Sequence, residues 1–214
     1  MKLNVSCVIL AGGESRRMEQ NKAGMHIAGG DPLVRGVRLF DYIYGKCHGL
    51  FPEIIIVTNT PQEFSEYQAH IVVDEIVGAG SLGGLYTGLL KASKYHSFCV
   101  ACDMPFLQPE VILHLTRRRF NYDVVIPNVP TGLEPLHAVY SKRCIGPMKK
   151  NLRLGELKLT KFLSDIRVRY VGEKEIKKID PFMVSFTNIN TRKDLLTMQR
   201  ILQGEQWEKK LEAT

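Results

Sequence analysis

The sequence predicts an α/β protein built on a parallel, doubly wound sheet. Three observations carry this reading. Short apolar runs alternate with helical stretches through the first 127 residues. Some of those runs are apolar without alternation, as in Ile54-Ile55-Ile56-Val57, the pattern of a strand covered on both faces. Polar or glycine residues then follow the runs: Gly12-Gly13, Thr58-Asn59, Asp74 and Asp103. In open α/β sheets ligands bind beyond the carboxyl ends of the strands, so one pocket can collect all of these groups.

The first strand is the apolar run from Val5 to Leu10, broken by Gly12-Gly13. Adjacent glycines let the backbone turn sharply and approach a ligand, and their N–H groups can line a phosphate. Arg16, Arg17 and Lys22 follow at once. Gly-Gly after a strand is commonly only a turn, and basic residues are commonly a solvated face. In succession, however, a strand, a glycine turn and three cations suit the triphosphate of a nucleotide. The stretch is neither of two familiar motifs. Arg16 stands where a dinucleotide fingerprint needs its third glycine, and no Gly-Lys-Ser/Thr triplet of a P-loop occurs nearby.

Asp31-Pro32 reads as an N-cap and first helical residue, continued by Leu33, Val37 and Phe40 to about residue 49. Ile54–Val57 is the second strand, Pro61 opens a short helix, and Ile71-Val72-Val73 is a third strand ending at Asp74. Gly78-Ala79-Gly80-Ser81-Leu82-Gly83-Gly84 reads as a second glycine-rich loop leading into a helix through Leu89, Leu90 and Ala92. Phe98 to Ala101 is the next strand, ending at Cys102-Asp103. Pro105 holds Met104 extended, so no helix starts there and the Asp103 carboxylate is expected at the strand tip rather than in a cap. Gln108-Pro109-Glu110 starts a helix through Leu115, and Val124-Val125-Ile126 is a strand closed by Pro127. Beyond it the reading is a strand over His137–Tyr140, a helix over Lys142–Leu152 and a short helix over Leu159–Leu163. A strand over Ile166–Val171 follows, then a capping-box-like start at Thr191 and Asp194 for a helix through Leu202.

The 214 residues allow one sizeable core or two very small ones. With 44% hydrophobic and 24% charged residues the composition is that of an ordinary globular protein. A net charge of +7 fits an anionic ligand or a nucleic acid. The clusters Arg117-Arg118-Arg119 and Lys177-Lys178 are read as exposed helix or loop faces, not interleaved with aromatics as in a single-strand binder. No apolar stretch approaches the roughly 18 residues of a membrane span, and no signal pattern opens the chain, so a cytoplasmic protein is expected. Five cysteines make a poor disulfide framework. Cys99 and Cys102 form a C-x-x-C inside a strand. Residues three apart there point to opposite faces, about 10 Å apart, and cannot share a metal.

Leu10-Ala11-Gly12-Gly13-x-Ser15-x-Arg17-Met18, followed by Lys22, resembles the signature of the molybdenum cofactor guanylyltransferases and related nucleotidyltransferases. The resemblance continues in order through Gly80–Gly84, Cys102-Asp103-Met104-Pro105, Glu134-Pro135-Leu136-His137-Ala138-Val139-Tyr140 and Phe186-Thr187-Asn188-Ile189-Asn190-Thr191, spanning residues 6–200. It implies a single-domain, three-layer, Rossmann-like, mostly parallel sheet of the nucleotide-diphospho-sugar transferase type. The domain would cover residues 1–203, with 204–214 as a C-terminal tail. It implies transfer of GMP from GTP to the phosphate of molybdopterin, with Mg²⁺ as cofactor and pyrophosphate as co-product. By matching positions, Leu10, Ala11, Gly12 and Gly13 would hold the nucleotide through the backbone, Arg17 would lie by the phosphates and Lys22 would stabilise the reacting α-phosphate. Thr58 and Asn59 match the polar strand end near the nucleoside, Asp74 an aspartate of the GTP site, and Asp103 the Mg²⁺ ligand. Ser81, Leu82 and Gly83 would approach the base. Asn188 and Asn190 match the acceptor side, with His137 as its wall rather than a base.

The residue types suit the chemistry, which needs alignment and neutralisation of charge more than covalent help. GTP and molybdopterin or the molybdenum cofactor are the implied partners, with cofactor insertion or maturation proteins as further candidates; no membrane or nucleic acid is expected. One departure stands out: Glu19 occupies a position where the family commonly has glycine. Two rivals stay open. One is a sibling transferase using CTP, or acting on a sugar phosphate or other phosphorylated acceptor. The other, motivated by Glu19, is a non-catalytic nucleotide sensor or cofactor carrier. An RNA-binding protein has only the net charge behind it.

Overall fold

The computed structural model describes residues 2–12, 26–27, 37–76, 78–189 and 193–194. At its centre lies β1 (Ser6–Leu10), every residue of which is buried. Cys7 and Ile9 join one apolar core, and Val8 and Leu10 join another on the opposite face. That two-sided burial is why the run is apolar without alternation.

The other elements are, in chain order, β2 (His26–Ile27), β3 (Val37–Arg38), α1 (Leu39–Leu50), β4 (Ile54–Val57), β5 (His70–Val72), α2 (Gly80–Lys91) and β6 (His96–Ala101). They continue with α3 (Pro109–Arg117), β7 (Val124–Val129), β8 (Gly132–Leu133), β9 (His137–Ser141), α4 (Ile145–Arg153), β10 (Val168–Gly172) and α5 (Glu173–Ile176). The main sheet runs β10-β7-β9-β6-β1-β4-β5, with β8 added on β7. β5, β4, β1 and β6 are mutually parallel, as are β7 and β10. Only β9 and β8 run the other way. Successive strands step outward from β1 through β4 to β5 and then return to its other side at β6. The reversal opens a crevice beyond the carboxyl ends of β1 and β6.

Apolar residues of α1, α3 and α5 build the core on one face, and those of α2 and α4 build the core on the other. The result is helix, sheet, helix, as expected for a doubly wound protein. Cys99 and Cys102 belong to opposite cores, which agrees with their reading as two separate packing residues.

Four local readings are corrected. α1 begins at Leu39, eight residues after Asp31: Val37 and Arg38 pair with Ile27 and His26 instead. The helix start is fixed by Asp41, whose carboxylate accepts the Arg38 N–H at 2.8 Å, the reaching-back half of a capping box. Residues 31–36 lie outside the described part. β7 continues through Pro127 to Val129. β9 pairs β7 only at Val124 and Val125, so the missing proline N–H falls where that neighbour has left, and the strand survives it.

The third correction concerns Gly80–Gly84, which is not a loop but the start of α2. Its glycines are there for packing. A Cβ on Gly84 would lie 3.2 Å from Leu10 Cδ2, and one on Gly88 would overlap Val8 Cγ1. The helix therefore lies directly on β1 and β4. The fourth is a shift: the short helix of the second half is a 3-10 turn at Lys161–Asp165, and β10 starts at Val168. Of the helix expected from Thr191, only Lys193 and Asp194 are described, and both are helical.

Candidate active site

The rim beyond the parallel strands is tied together by backbone. The Cys102 N–H donates to the Leu10 carbonyl at 3.1 Å, so the chain after β6 runs beside the chain after β1. The Ala11 N–H donates to the Val57 carbonyl at 2.8 Å, and the Thr58 N–H to the Val72 carbonyl at 3.0 Å. These three bonds set Gly12, Thr58-Asn59, Asp74 and Asp103 along one edge.

Side chains tighten the same edge. The Thr58 hydroxyl, 1% exposed, donates to the Ala11 carbonyl at 3.4 Å. Asn59 Nδ2 donates to the Gly12 carbonyl at 3.4 Å, over the exposed glycine. Because the Ala11 N–H is used in the sheet, backbone donors available to a ligand begin no earlier than Gly12. A Cβ on Gly12 would make only ordinary contacts of 3.4–3.6 Å with Thr58 and Asn59. Among the described residues nothing demands glycine there, and its open face suits an approaching ligand.

Asp74 is braced rather than loose. Its Oδ1 accepts the Thr87 hydroxyl and the Ile76 N–H, both at 3.1 Å. Both carboxylate oxygens lie 3.1–3.2 Å from the position of a Cβ on Gly83, so glycine there lets the first turns of α2 close onto Asp74. Ser81 is exposed in the first turn of α2. Leu82 and Gly83 are buried in the layer over the sheet. Of the three residues expected to approach the base, Ser81 alone presents surface, and Leu82 is a core residue.

Asp103 is half-buried at the tip of β6. Its carbonyl accepts the Ile189 N–H at 2.8 Å, which places Asn188, an exposed residue, beside it. The segment carrying Asn188 is anchored from below. Asp180, 4% exposed, accepts the Val184 N–H at 3.1 Å and the Ser185 N–H at 2.9 Å. Ser185 Oγ in turn accepts the Gln108 N–H at 3.3 Å, ahead of α3.

His137 is fully buried, and neither ring nitrogen has a hydrogen-bond partner among the described residues. It packs between Phe98 and Phe186, with ring centroids 5.2 and 4.9 Å away. An acceptor cannot touch it in this arrangement, which corrects its reading as an acceptor contact. Glu134 was not among the candidate residues, yet β9 starts at this rim and brings it there. The Ala101 N–H donates to the Leu136 carbonyl at 3.3 Å. Burial holds the Glu134 carboxyl above its usual range, against a hydrogen bond from Thr131. Its motif was visible in the sequence; the direction of β9 was not.

Gly13, Arg17, Lys22 and Asn190, with Glu19, lie outside the described residues. Among the described residues no three histidines, cysteines or carboxylates stand close enough to hold a metal by themselves. No described helix is long and apolar enough to cross a membrane.

Residues 7–170 match the MobA-like NTP transferase domain. The chain belongs to that family. Within it, the chain is 35% identical to the molybdenum cofactor guanylyltransferase of Desulfosudis oleivorans, over 89% of this chain and 92% of that one. It is 36% identical to a probable molybdenum cofactor guanylyltransferase of Pelotomaculum thermopropionicum, over 91% of each. It also superimposes on molybdopterin-guanine dinucleotide biosynthesis protein A from Archaeoglobus fulgidus with a TM-score of 0.80 at 26% identity, covering 94% of this chain and all of that one. The expected fold class, a mostly parallel sheet of the nucleotide-diphospho-sugar transferase type, therefore holds for this family member.

Proposed function

We propose that this protein transfers GMP from GTP to the phosphate of molybdopterin, giving the guanine dinucleotide cofactor and pyrophosphate. The relatives' names support the substrates, and the MobA-like family supports the reaction class. The observation that carries the reading is the bond from the Cys102 N–H to the Leu10 carbonyl. It sets the glycine end of β1 beside Asp103, so that a nucleotide on one faces a carboxylate on the other.

In the proposed reaction an oxygen of the acceptor phosphate attacks the α-phosphorus of GTP. The new P–O bond forms as the bond to the β-phosphate oxygen breaks, and pyrophosphate leaves with the electron pair. No side chain must become covalently bound, and the protein's part is alignment and charge placement. Gly12, Asn59 and the first turn of α2 bind the nucleotide, Asp74 braces that turn, and Asn188 orients the acceptor beside Asp103. Lys22 and Arg17 are proposed to supply positive charge to the phosphates. Asp103, partly exposed and next to this path, suits a hard cation that takes one or two carboxylates and completes its shell with phosphate and water. Bound there, Mg²⁺ would neutralise phosphate charge as a Lewis acid. We take residues 1–203 as the catalytic domain and 204–214 as its tail.

The test is pyrophosphate release from each nucleoside triphosphate with Mg²⁺ and a source of molybdopterin. Release with GTP alone is expected; release with CTP and not GTP would overturn the guanylyl assignment. Asp103→Asn should lower turnover at least 100-fold with an unchanged melting temperature. It should also remove the Mg²⁺-dependent part of GTP affinity in calorimetry. Wild-type turnover in this variant would displace the proposed site.

A further inference from the structure

We propose that the pole of the sheet opposite the nucleotide rim, centred on Arg119 and Phe120, is a docking surface for an acidic partner protein that carries apolar side chains among its carboxylates. The topology builds this pole from four chain segments. β6, β7 and β10 begin there and β9 ends there: His96 pairs Ser141, Val124 pairs Tyr140, and Val168 pairs Val124. The residues just outside those ends are Tyr95, Tyr122, Arg167 and Arg143. Arg119 and Phe120 come from the turn that joins α3 to β7.

That turn is shaped to expose an aromatic ring. Asn121 takes a φ of +68°, and the Tyr122 N–H donates to the Arg119 carbonyl at 3.3 Å. Asparagine tolerates this left-handed conformation better than most residues. Phe120 is left at the tip, 63% exposed, with the Arg119 guanidinium 4.3 Å from its ring centroid. Arg119 is held there by donating to the Thr116 carbonyl at 2.8 Å. Tyr95 is 53% exposed and Tyr122 37%. Tyr95 packs edge-on against the His96 ring at 4.9 Å. Three exposed aromatics beside ordered arginines have the composition of interaction hot spots, where Tyr and Arg are enriched. A solvated basic face would have kept its arginines and dispensed with the rings.

The charge of the pole selects the partner. The carboxylates at this end are already engaged. Asp123, 5% exposed, accepts from the Arg167 backbone N–H at 3.1 Å and from Arg167 Nε at 3.2 Å. Glu53 accepts from the Ser6 hydroxyl and the Ser93 N–H. Arg143 and the remaining guanidinium surface of Arg167 face solvent, and Arg119 is half-buried against Phe120. A second copy docked pole to pole would oppose these cations with more of the same, which costs association. RNA is the weaker occupant as well: single-strand binders offer free ring faces along a groove, and Arg119 already covers one face of Phe120. Carboxylates for the guanidiniums and apolar groups for Phe120 and Tyr95 match both halves of the surface. The pole lies the full length of β6 from the rim, about 17 Å. A partner held there leaves the nucleotide site open.

Three fluorescent probes of equal negative charge test this by anisotropy at physiological salt: a peptide alternating glutamate with leucine and phenylalanine, a polyglutamate peptide and an oligouridine. The alternating peptide should bind at least ten-fold more tightly than either other probe. The double variant Arg119→Glu with Phe120→Ser should lose that advantage while keeping its melting temperature and basal turnover. Equal binding of polyglutamate would reduce the pole to unspecific charge, and tighter oligouridine would assign it to RNA. Self-association abolished by the double variant, read by sedimentation, would assign the pole to a second copy. Absence of binding by the alternating peptide would also overturn the proposal.

Discussion

His137 carries an uncompensated cost. Two ring nitrogens lie buried without partners among the described residues, and leaving a buried polar group unsatisfied costs about 1–3 kcal/mol. Phenylalanine is also a flat aromatic ring, somewhat larger than imidazole, and suits the neighbours Phe98 and Phe186. His137→Phe should therefore stabilise the fold by about 1–3 kcal/mol in urea denaturation. Burial also pushes the His137 pKa down to about 3, against about 6.5 in the unfolded chain. Between those values the unfolded chain binds the extra proton, so stability falls as pH drops from 6.5 toward 3. At pH 5 the loss is ~2 kcal/mol. Wild type should lose that much more than His137→Phe between pH 8 and pH 5, and an equal loss in both proteins would refute the account. The sequence made His137 conspicuous by its motif but said nothing of its depth, because one strand position carries no sign of which side is covered.

At the scale of elements, α2 shows how a sequence signal can be read correctly and placed wrongly. Gly83 and Gly84 suggest a loop because glycine weakens helices. Together with Gly88 they instead let α2 close onto Asp74, β1 and β4, a distance that a single sequence does not contain. Gly88→Ala should gain about 1 kcal/mol of helix propensity. It loses more, since its Cβ overlaps the buried Val8 side chain, and overpacking a core typically costs about 1–3 kcal/mol. A higher melting temperature for Gly88→Ala would show that the helix shifts freely. The acceptor-side segment depends on another single group. Asp180→Ala leaves the Val184 and Ser185 N–H groups without their acceptor. It should raise KM for molybdopterin several-fold, leave KM for GTP near wild type, and cost about 1–3 kcal/mol. Asp180 drew no notice in the sequence, since an aspartate before a proline reads as a turn. The strands, by contrast, were legible as apolar runs, and the polar or glycine residues just beyond β1, β4, β5 and β6 marked the rim.

For the molecule as a whole, the +7 charge acts on encounter rather than on fold. GTP is polyanionic, so the protein's field should raise its capture rate. kcat/KM for GTP should fall several-fold between 50 and 300 mM salt while kcat changes little. A flat kcat/KM would show that the charge is distributed away from the nucleotide path. The parallel half of the sheet was readable as repeated strand–helix units. The reversed course of β9 was not, because a strand of His-Ala-Val-Tyr-Ser carries no mark of direction.

That reversed strand has a consequence for biosynthesis. β9 is bonded to β6 on one side and β7 on the other, so the two parallel parts of the sheet meet only through it. A nascent chain completes β5, β4, β1 and β6 well before residues 137–141 leave the ribosome. At roughly 5–20 residues per second, the long flank of β6 waits unpaired for about 2–8 s. Such a bare flank invites pairing with a neighbouring chain. Anything that slows translation between Cys102 and Leu136 should lower soluble yield even when the finished enzyme is fully stable.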